Sequence, residues 1–380
     1  MSSDIRRDSM RVLHILDSLN RGGAETQALD VCRNAARFGI ELTVFACDGD
    51  GLEDEFRSTD VRFFRVNRKL PIDLNVVQKL RSFIKENKVE VVHGYQAVDG
   101  LHAYLATRGL GGVKTVLSFQ GGYVPDIKNK WTLNFLIPRM DANIAVSQGL
   151  LKELSEVSGL KTAGEFTVIY NGADPERLIP TDHSVREELG IPKRSPVVGM
   201  IANFYRDPRK DQLTIVKALP RIFAEFPDAH CIFAGVIEPG AEPKFEECKR
   251  FCTEGEFDDR VHFLGGRNDV PDVLASMDVF IFSSLQEGLP VALTEAMLAK
   301  VPAIVSDIDP HLEATDNGKF AVVFRTQDAE DLAEKTLSLM KDEQGRTELA
   351  EKAHKYALAN FSIDAHILRL KELYERLIKV

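Results

Sequence analysis

A chain of 380 residues is long for a single hydrophobic core and suits two domains of ordinary size. Its 44% apolar and 28% charged residues are those of a globular protein, and no stretch reaches the ~20 apolar residues of a membrane-spanning helix. The net charge of −10 argues against a general nucleic-acid binder. The first residues, Met1 to Arg11, are polar and charged without the apolar core of a signal peptide, so the cytoplasm is the expected location. The five cysteines agree. Cys32, Cys47 and Cys231 lie in apolar runs, where free cysteine acts as a small hydrophobe. Cys248 and Cys252 lack the second pair or histidine cluster of a zinc site.

Along the chain, short β-branched apolar runs alternate with amphipathic helical stretches, the pattern of parallel sheets wrapped by helices. In the first half the predicted strands are Arg11–Leu16, Leu42–Ala46, Arg62–Arg65, Val89–His93, Lys114–Phe119, Ala142–Val146 and Thr167–Ile169. Helices fall between them, such as Glu25–Arg37 and Leu74–Asn87. The charged, proline-containing stretch Asn171–Pro196 reads as a connection. Alternation restarts with Val197–Ile201, His230–Ala234, Val261–Leu264, Val279–Phe282, Ala303–Ser306 and Ala321–Val323. Ser362–Val380 reads as one amphipathic helix crossing back to the first domain. The expected fold is therefore α/β, with two doubly wound Rossmann-like domains at 1–180 and 181–361 and a terminal helix at 362–380. Ligands of such sheets bind beyond the carboxyl ends of the strands, which two domains can turn toward one cleft.

Charge is unevenly shared. Residues 1–185 hold 23 Lys+Arg against 24 Asp+Glu, a balance of −1, which leaves −9 for the remainder. Basic residues cluster at Arg62, Arg65, Arg68 and Lys69, then at Lys79, Arg81, Lys85 and Lys88. That cluster is either a solvated face or a landing patch for an anionic membrane surface or a phosphate-bearing acceptor.

Neither a G-x-G-x-x-G opening nor a P-loop nor a nucleophile elbow is present. The triplets Asp48–Asp50 and Asp307–Asp309 have D-x-D spacing but follow strands in a turn context, so no metal site is expected there. The informative passage runs from Ser283 to Met297, where Glu287 and Glu295 flank a strand-to-helix turn. Backbone N–H groups at Leu289, Val291 and Ala292 would be unpaired donors at a helix N-terminus, an anion site for a diphosphate. Pro290, lacking an N–H, suits the first helical turn.

From Ser283 through Asp307 the chain resembles the signature of glycosyltransferase family 4, which has the two-domain GT-B fold. The resemblance implies that Glu287 bonds the donor sugar and Glu295 the ribose, with Gly288, Leu289, Pro290 and Val291 lining the donor site. His14 to Glu25 is similar to the family's first strand, glycine loop and helix, so Gly22 and Gly23 would face the donor phosphates. Ala202 to Gln212 is similar to its Arg/Lys loop. Arg206 and Lys210 would hold the diphosphate, with Arg209 a rival for Arg206. Two such cations would neutralise a diphosphate leaving group without metal. Val261 to Val270 looks like the segment whose backbone meets the nucleobase, and Val270 is the best match.

One departure concerns the reacting sugar. Where many relatives carry a His-Gly, this chain has Gln120, which can bond a hydroxyl but holds no proton to transfer near neutral pH. His93, at the end of its strand, either faces the acceptor or sugar side or is an ordinary buried histidine. Lys300 stands where relatives often have glycine. The resemblance implies a retaining hexosyltransferase using a nucleotide-diphosphate sugar, with a UDP-sugar expected, as co-substrate, with no metal and no other cofactor. Its acceptor would be a glycan, a lipid-linked glycan or a small molecule, reached in the cytoplasm or at the inner membrane face. Two alternatives stand beside it: a sugar-nucleotide epimerase of the same architecture, and a non-catalytic sugar-nucleotide-binding subunit.

Overall fold

The structure is a computed structural model that describes residues 9–19, 23–49, 51–121, 127–156, 159–160 and 166–379. It divides into two compact units, Met1–Gly172 with Ile363–Val380, and Ala173–Ser362. The chain leaves the first unit at Gly172, ahead of residue 180, and the terminal helix Ile363–Lys379 is part of the first unit.

In the first unit seven parallel strands form the sheet: β1 Met10–Ser18, β2 Ile40–Asp48, β3 Arg62–Arg65, β4 Val91–Tyr95, β5 Lys114–Phe119, β6 Ala142–Ala145 and β7 Phe166–Val168. Their order is β3-β2-β1-β4-β5-β6-β7. Alternate residues of β1 serve opposite faces, as the two-residue period of a strand requires. Val12 and Leu16 pack with the helices Gly23–Asn34 and Ile363–Lys379, while Leu13 and Ile15 pack with Leu74–Glu86 and Gln96–Thr107. Burial on both faces explains why Val12 to Leu16 reads as an apolar run broken only by His14.

The terminal helix presents Ile363, Ile367, Leu370, Leu373, Tyr374 and Leu377 to the sheet, the stripe of an amphipathic helix. Tyr374 also carries polar chemistry inward. Its hydroxyl lies 2.6 Å from His93 Nδ1 and 3.2 Å from His14 Nε2, whose other ring nitrogen lies 3.2 Å from the Tyr95 hydroxyl. His93 Nε2 meets Ser118 Oγ at 2.6 Å, and His366 Nδ1 meets the Tyr170 carbonyl at 2.7 Å. Buried polar groups with partners on several elements fix one packing of the helix, because any other leaves them unpaired.

Six parallel strands build the second unit: β8 Val197–Ile201, β9 His230–Ala234, β10 Val261–Phe263, β11 Val279–Phe282, β12 Ala303–Ser306 and β13 Val322–Phe324. The order β10-β9-β8-β11-β12-β13 reverses direction between β8 and β11. The first sheet reverses between β1 and β4. In open parallel sheets a ligand crevice lies at the carboxyl edge where the strand order reverses. All thirteen strands lie where the sequence places them, with ends shifted by a few residues. Lys300 has φ +60, the left-handed conformation that glycine adopts without cost, and this accounts for the glycine common in relatives.

Burial lowers the pKa of His14 to about 3 and of His366 to about 4, and holds His93 well below the ordinary value of 6.5. Well above pH 6.5 neither folded nor unfolded chain protonates these rings, and they impose no penalty. As pH falls below that value, the unfolded chain takes up protons that the folded chain refuses, so stability drops until the folded values are reached. Each ring should cost about 2 kcal/mol between pH 6.5 and pH 5. Urea unfolding at a series of pH values checks this, and a stability that stays flat from pH 7 to pH 5 would contradict it.

Candidate functional site

Two loops meet at the switch point of the second sheet. Residues 202–211 leave β8 and residues 283–290 leave β11. The loop after β8 passes close under the end of β9, where a Cβ on Gly235 would fall 2.2 Å from the Ala202 carbonyl oxygen. Backbone bonds then join the two loops: the Leu285 N–H donates to the Arg209 carbonyl at 2.8 Å, and the Asp211 N–H to that of Ser283 at 3.1 Å. Lys210 and Ser284 form an antiparallel bridge between them. Asp211 caps the following helix Gln212–Glu225 by accepting from the Thr214 N–H.

This pairing puts Lys210 directly against Glu287. Its Nζ bonds Glu287 Oε1 and lies 4.2 Å from the centroid of the Phe282 ring. Both side chains are only 10% exposed. Burial pulls the Lys210 pKa below the ordinary lysine value, and the Glu287 carboxylate opposes that pull. Beneath them Ser306 Oγ donates to the Ser284 carbonyl at 2.8 Å and accepts from the Ser284 N–H, stitching the ends of β11 and β12 together. His311 stands 3.1 Å from Ser306 Oγ, its pKa lowered to about 3 by burial and by the charge on Lys210.

Glu295 sits one helical stretch further on, in Val291–Leu298, and is 9% exposed. Its Oε1 accepts from Arg177 Nη2 at 2.7 Å. Arg177 was not among the residues singled out from the sequence, where it lies within the stretch Asn171–Pro196 that reads as a connection.

Other expected donor residues fall as follows. Gly288, Leu289 and Pro290 are buried in the turn. The Val291 N–H is not an open donor as expected, because it bonds the Leu289 carbonyl at 2.9 Å, while Leu293 and Thr294 bond Pro290. Arg206 is exposed and makes no ion pair among the described residues, whereas the rival Arg209 is held by Asp207 at 2.6 Å and lies over Tyr205. Val270 opens the helix Val270–Ala275 at the carboxyl side of β10. Asp307 accepts from the Thr326 N–H and hydroxyl, tying the segment after β12 to the segment after β13.

In the first unit Gly22 lies outside the described residues, and Gly23 opens the helix Gly23–Asn34. Gln120 lines a cavity of about 260 Å³ with Asp17, Glu25 and Asp99, at the switch point between β1 and β4. Its Oε1 accepts from Asn171 Nδ2 at 2.8 Å. His93 is not placed to meet an acceptor or sugar, because its ring is 1% exposed with both nitrogens engaged by Tyr374 and Ser118. The basic cluster is also partly spent. Arg68 pairs with Asp17, Arg65 with Glu53, and Arg81 donates to the Ala106 and Arg108 carbonyls.

Two parallel, doubly wound units, each with its polar side chains gathered at a switch point, are the architecture of GT-B glycosyltransferases. Family models match side by side, Glycosyltransferase Family 4 over residues 21–177 and Glycosyl transferases group 1 over residues 182–357. The chain belongs to this family of glycosyltransferases. It is 24% identical over 84% of its length to N-acetyl-alpha-D-glucosaminyl L-malate synthase of Bacillus anthracis, covering 83% of that protein. It is 25% identical over 86% of its length to the Escherichia coli UDP-Gal:alpha-D-GlcNAc-diphosphoundecaprenol alpha-1,3-galactosyltransferase, covering 85% of it. In fold it is similar to Anabaena HepE, solved with UDP and glucose, with a TM-score of 0.81 at 20% identity over 97% of this chain and 100% of that one.

Removing one member of a buried ion pair strands the other. Lys210→Met should therefore cost about 3–5 kcal/mol of stability by leaving Glu287 unpaired. Adding Glu287→Gln should recover part of that loss. A double-mutant cycle by urea unfolding measures it, and strictly additive costs would show that the two side chains are not coupled.

Proposed function

We propose that the protein is a retaining hexosyltransferase that moves a sugar from a UDP-sugar to a glycan or lipid-linked acceptor without a metal ion. The buried Lys210–Glu287 pair carries this reading, since it sets a cation and a carboxylate side by side at the switch point of the second unit. A diphosphate entering there would draw Lys210 from Glu287, leaving the carboxylate to accept from the sugar hydroxyls. Arg206 would supply the second cation, from its exposed place on the same loop. Glu295, held by Arg177, would accept from the ribose with its remaining lone pairs. Charge forming on the leaving diphosphate is then met by fixed cations rather than by metal. Its oxygen takes the proton of the attacking hydroxyl on the same face of the sugar, and configuration is retained. The UDP and glucose bound by Anabaena HepE, and the UDP-Gal named for the E. coli relative, support UDP as the nucleotide.

Isothermal titration separates the two glutamates. Glu295→Ala should weaken UDP by about 1–3 kcal/mol, the worth of a charged hydrogen bond. Glu287→Ala should bind UDP nearly as the parent does yet lose on the order of 100-fold in kcat. Unchanged UDP affinity in Glu295→Ala would sink its assignment. Transfer should survive excess EDTA, and activity lost to EDTA and restored by Mn²⁺ would overturn the metal-free reading.

An acceptor on a lipid carrier would bring the first unit to an anionic membrane surface. With Arg65 and Arg68 committed to ion pairs, the exposed Lys69, Lys79, Lys85 and Lys88 would make the contact. Leu70, Ile72 and Leu74 beside them are 63%, 49% and 68% exposed and can enter the headgroup layer. No helix among the described residues is long and apolar enough to cross a membrane. Sedimentation with anionic vesicles should show binding that fades at high salt and is lost in a Leu70→Ser/Leu74→Ser/Lys85→Glu/Lys88→Glu variant. If the parent stays in the supernatant at low salt, this surface is merely solvated.

A further inference from the structure

The cavity at the first switch point has an unusual wall. Gly94 lets the helix Gln96–Thr107 fold tightly back on β4, where a Cβ would fall 2.8 Å from the Gly100 nitrogen. This turn brings Asp99 into the cavity wall beside Asp17 at the end of β1 and Glu25 of the Gly23–Asn34 helix. Asp99 is 1% exposed, and neither carboxyl oxygen has a hydrogen-bond partner of ordinary geometry, although the Asp17 backbone faces it. A buried carboxyl group without a partner costs several times what a paired one does, so its place in a cavity wall points to a ligand that completes it. Burial and the neighbouring Asp17 carboxylate hold Asp99 well above the usual carboxylate range, and burial raises Glu25 as well. The acid form of Asp99 can donate to a hydroxyl oxygen, and its carbonyl can accept from another. Arg68, the cation facing this group, is already ion-paired with Asp17.

We propose that this cavity selects the acceptor by charge, admitting an uncharged polyhydroxylated group such as a pyranose ring and refusing a carboxylate or phosphate, with Asp99 bonding the neutral ring and Glu25 turning anions away. The inference rests on the glycosyltransferase reading above, with the first unit on the acceptor side. An anion entering here would lose its hydration against a low-dielectric wall whose nearest cation, Arg68, is already paired with Asp17, and would face Glu25, so desolvation and repulsion act together. A sugar ring instead offers hydroxyls that act as donors and acceptors, which matches Asp99, Glu25, Gln120 and Asn129. At about 260 Å³ the space sits just below the ~300–1,000 Å³ of pockets for larger ligands and suits one ring. The malate named for the Bacillus anthracis relative is the kind of acceptor this wall would exclude.

Saturation-transfer NMR on the full chain tests the proposal, with methyl β-D-glucopyranoside and methyl α-D-galactopyranoside as neutral probes and D-glucuronate, D-glucose 6-phosphate and L-malate as anionic ones. At least one neutral glycoside should bind and the anions should not. Asp99→Leu should reduce the neutral signal about tenfold, and Asp99→Asn, which keeps shape, donor and acceptor, should restore it. Glu25→Gln, farther from the core, should let D-glucuronate in. Three results overturn the proposal: no neutral glycoside binding, an anion binding as well as the neutral probes, or Asp99→Leu folding and binding like the parent. UDP titration of the same samples reports separately on the donor reading, since failure to bind UDP would count against that reading whatever the glycosides do.

Discussion

The pairing of residues 209–211 with residues 283–285 is the constraint on which the second unit's chemistry depends. Loops at the carboxyl edge of a parallel sheet have no ladder of their own, and charged side chains on them would ordinarily sample many rotamers. Here each loop satisfies the other's backbone, and the bridge between Lys210 and Ser284 allows little freedom in where the lysine points. Asp211 fastens the same segment to the start of the next helix. The ammonium group is thus held over Phe282 and against Glu287 before any ligand arrives, so less ordering remains to be done on binding.

Such an arrangement has an energetic cost that explains its composition. Two charges that are nine-tenths buried lose most of their hydration, and a single contact between them repays only part of it. The structure compensates locally with the Phe282 ring, the stitched ends of β11 and β12, and a neutral His311 behind the lysine. The histidine stays neutral because a second buried cation beside Lys210 would be more costly than leaving the ring uncharged. A pair balanced so closely can yield to a better partner, as an isolated buried lysine or glutamate could not.

How much of this was legible in the sequence differs by element. The thirteen strands were, most of them because a parallel strand buried on both faces leaves a short apolar run that little else imitates, and the edge strand β3 from its Phe63–Phe64 pair. Glu287, Lys210 and Arg206 on loops after strands, and Glu295 on the helix that follows, could be singled out because their segments resemble the family's signature. The partners were not legible. Arg177 reaches Glu295 across more than a hundred residues of chain, and no local pattern announces that. His93 shows the converse limit: a histidine at a strand end looks the same whether it faces a ligand or a tyrosine from the last helix. Arg65 and Arg68 belong to a basic cluster on paper, yet each finds a carboxylate, and net charge counts them without seeing it. Lys300 needed its φ angle before the missing glycine made sense.

The two switch points share a topology and differ in charge. In the second unit the loop after β8 carries Lys210 and Arg206, groups suited to a phosphate. The equivalent place in the first unit carries Asp17, Glu25 and Asp99, with Arg68 drawn off into an ion pair. Strand order alone sets where a crevice opens and says nothing of what enters it. Loop residues decide that, and here they decide it oppositely in the two units. The overall charge balance conceals the contrast, since the nearly neutral first unit holds the acidic crevice and the strongly acidic second unit holds the cationic one. Function in this chain therefore has to be read from a few buried charges and their partners, because the surrounding charge points the other way.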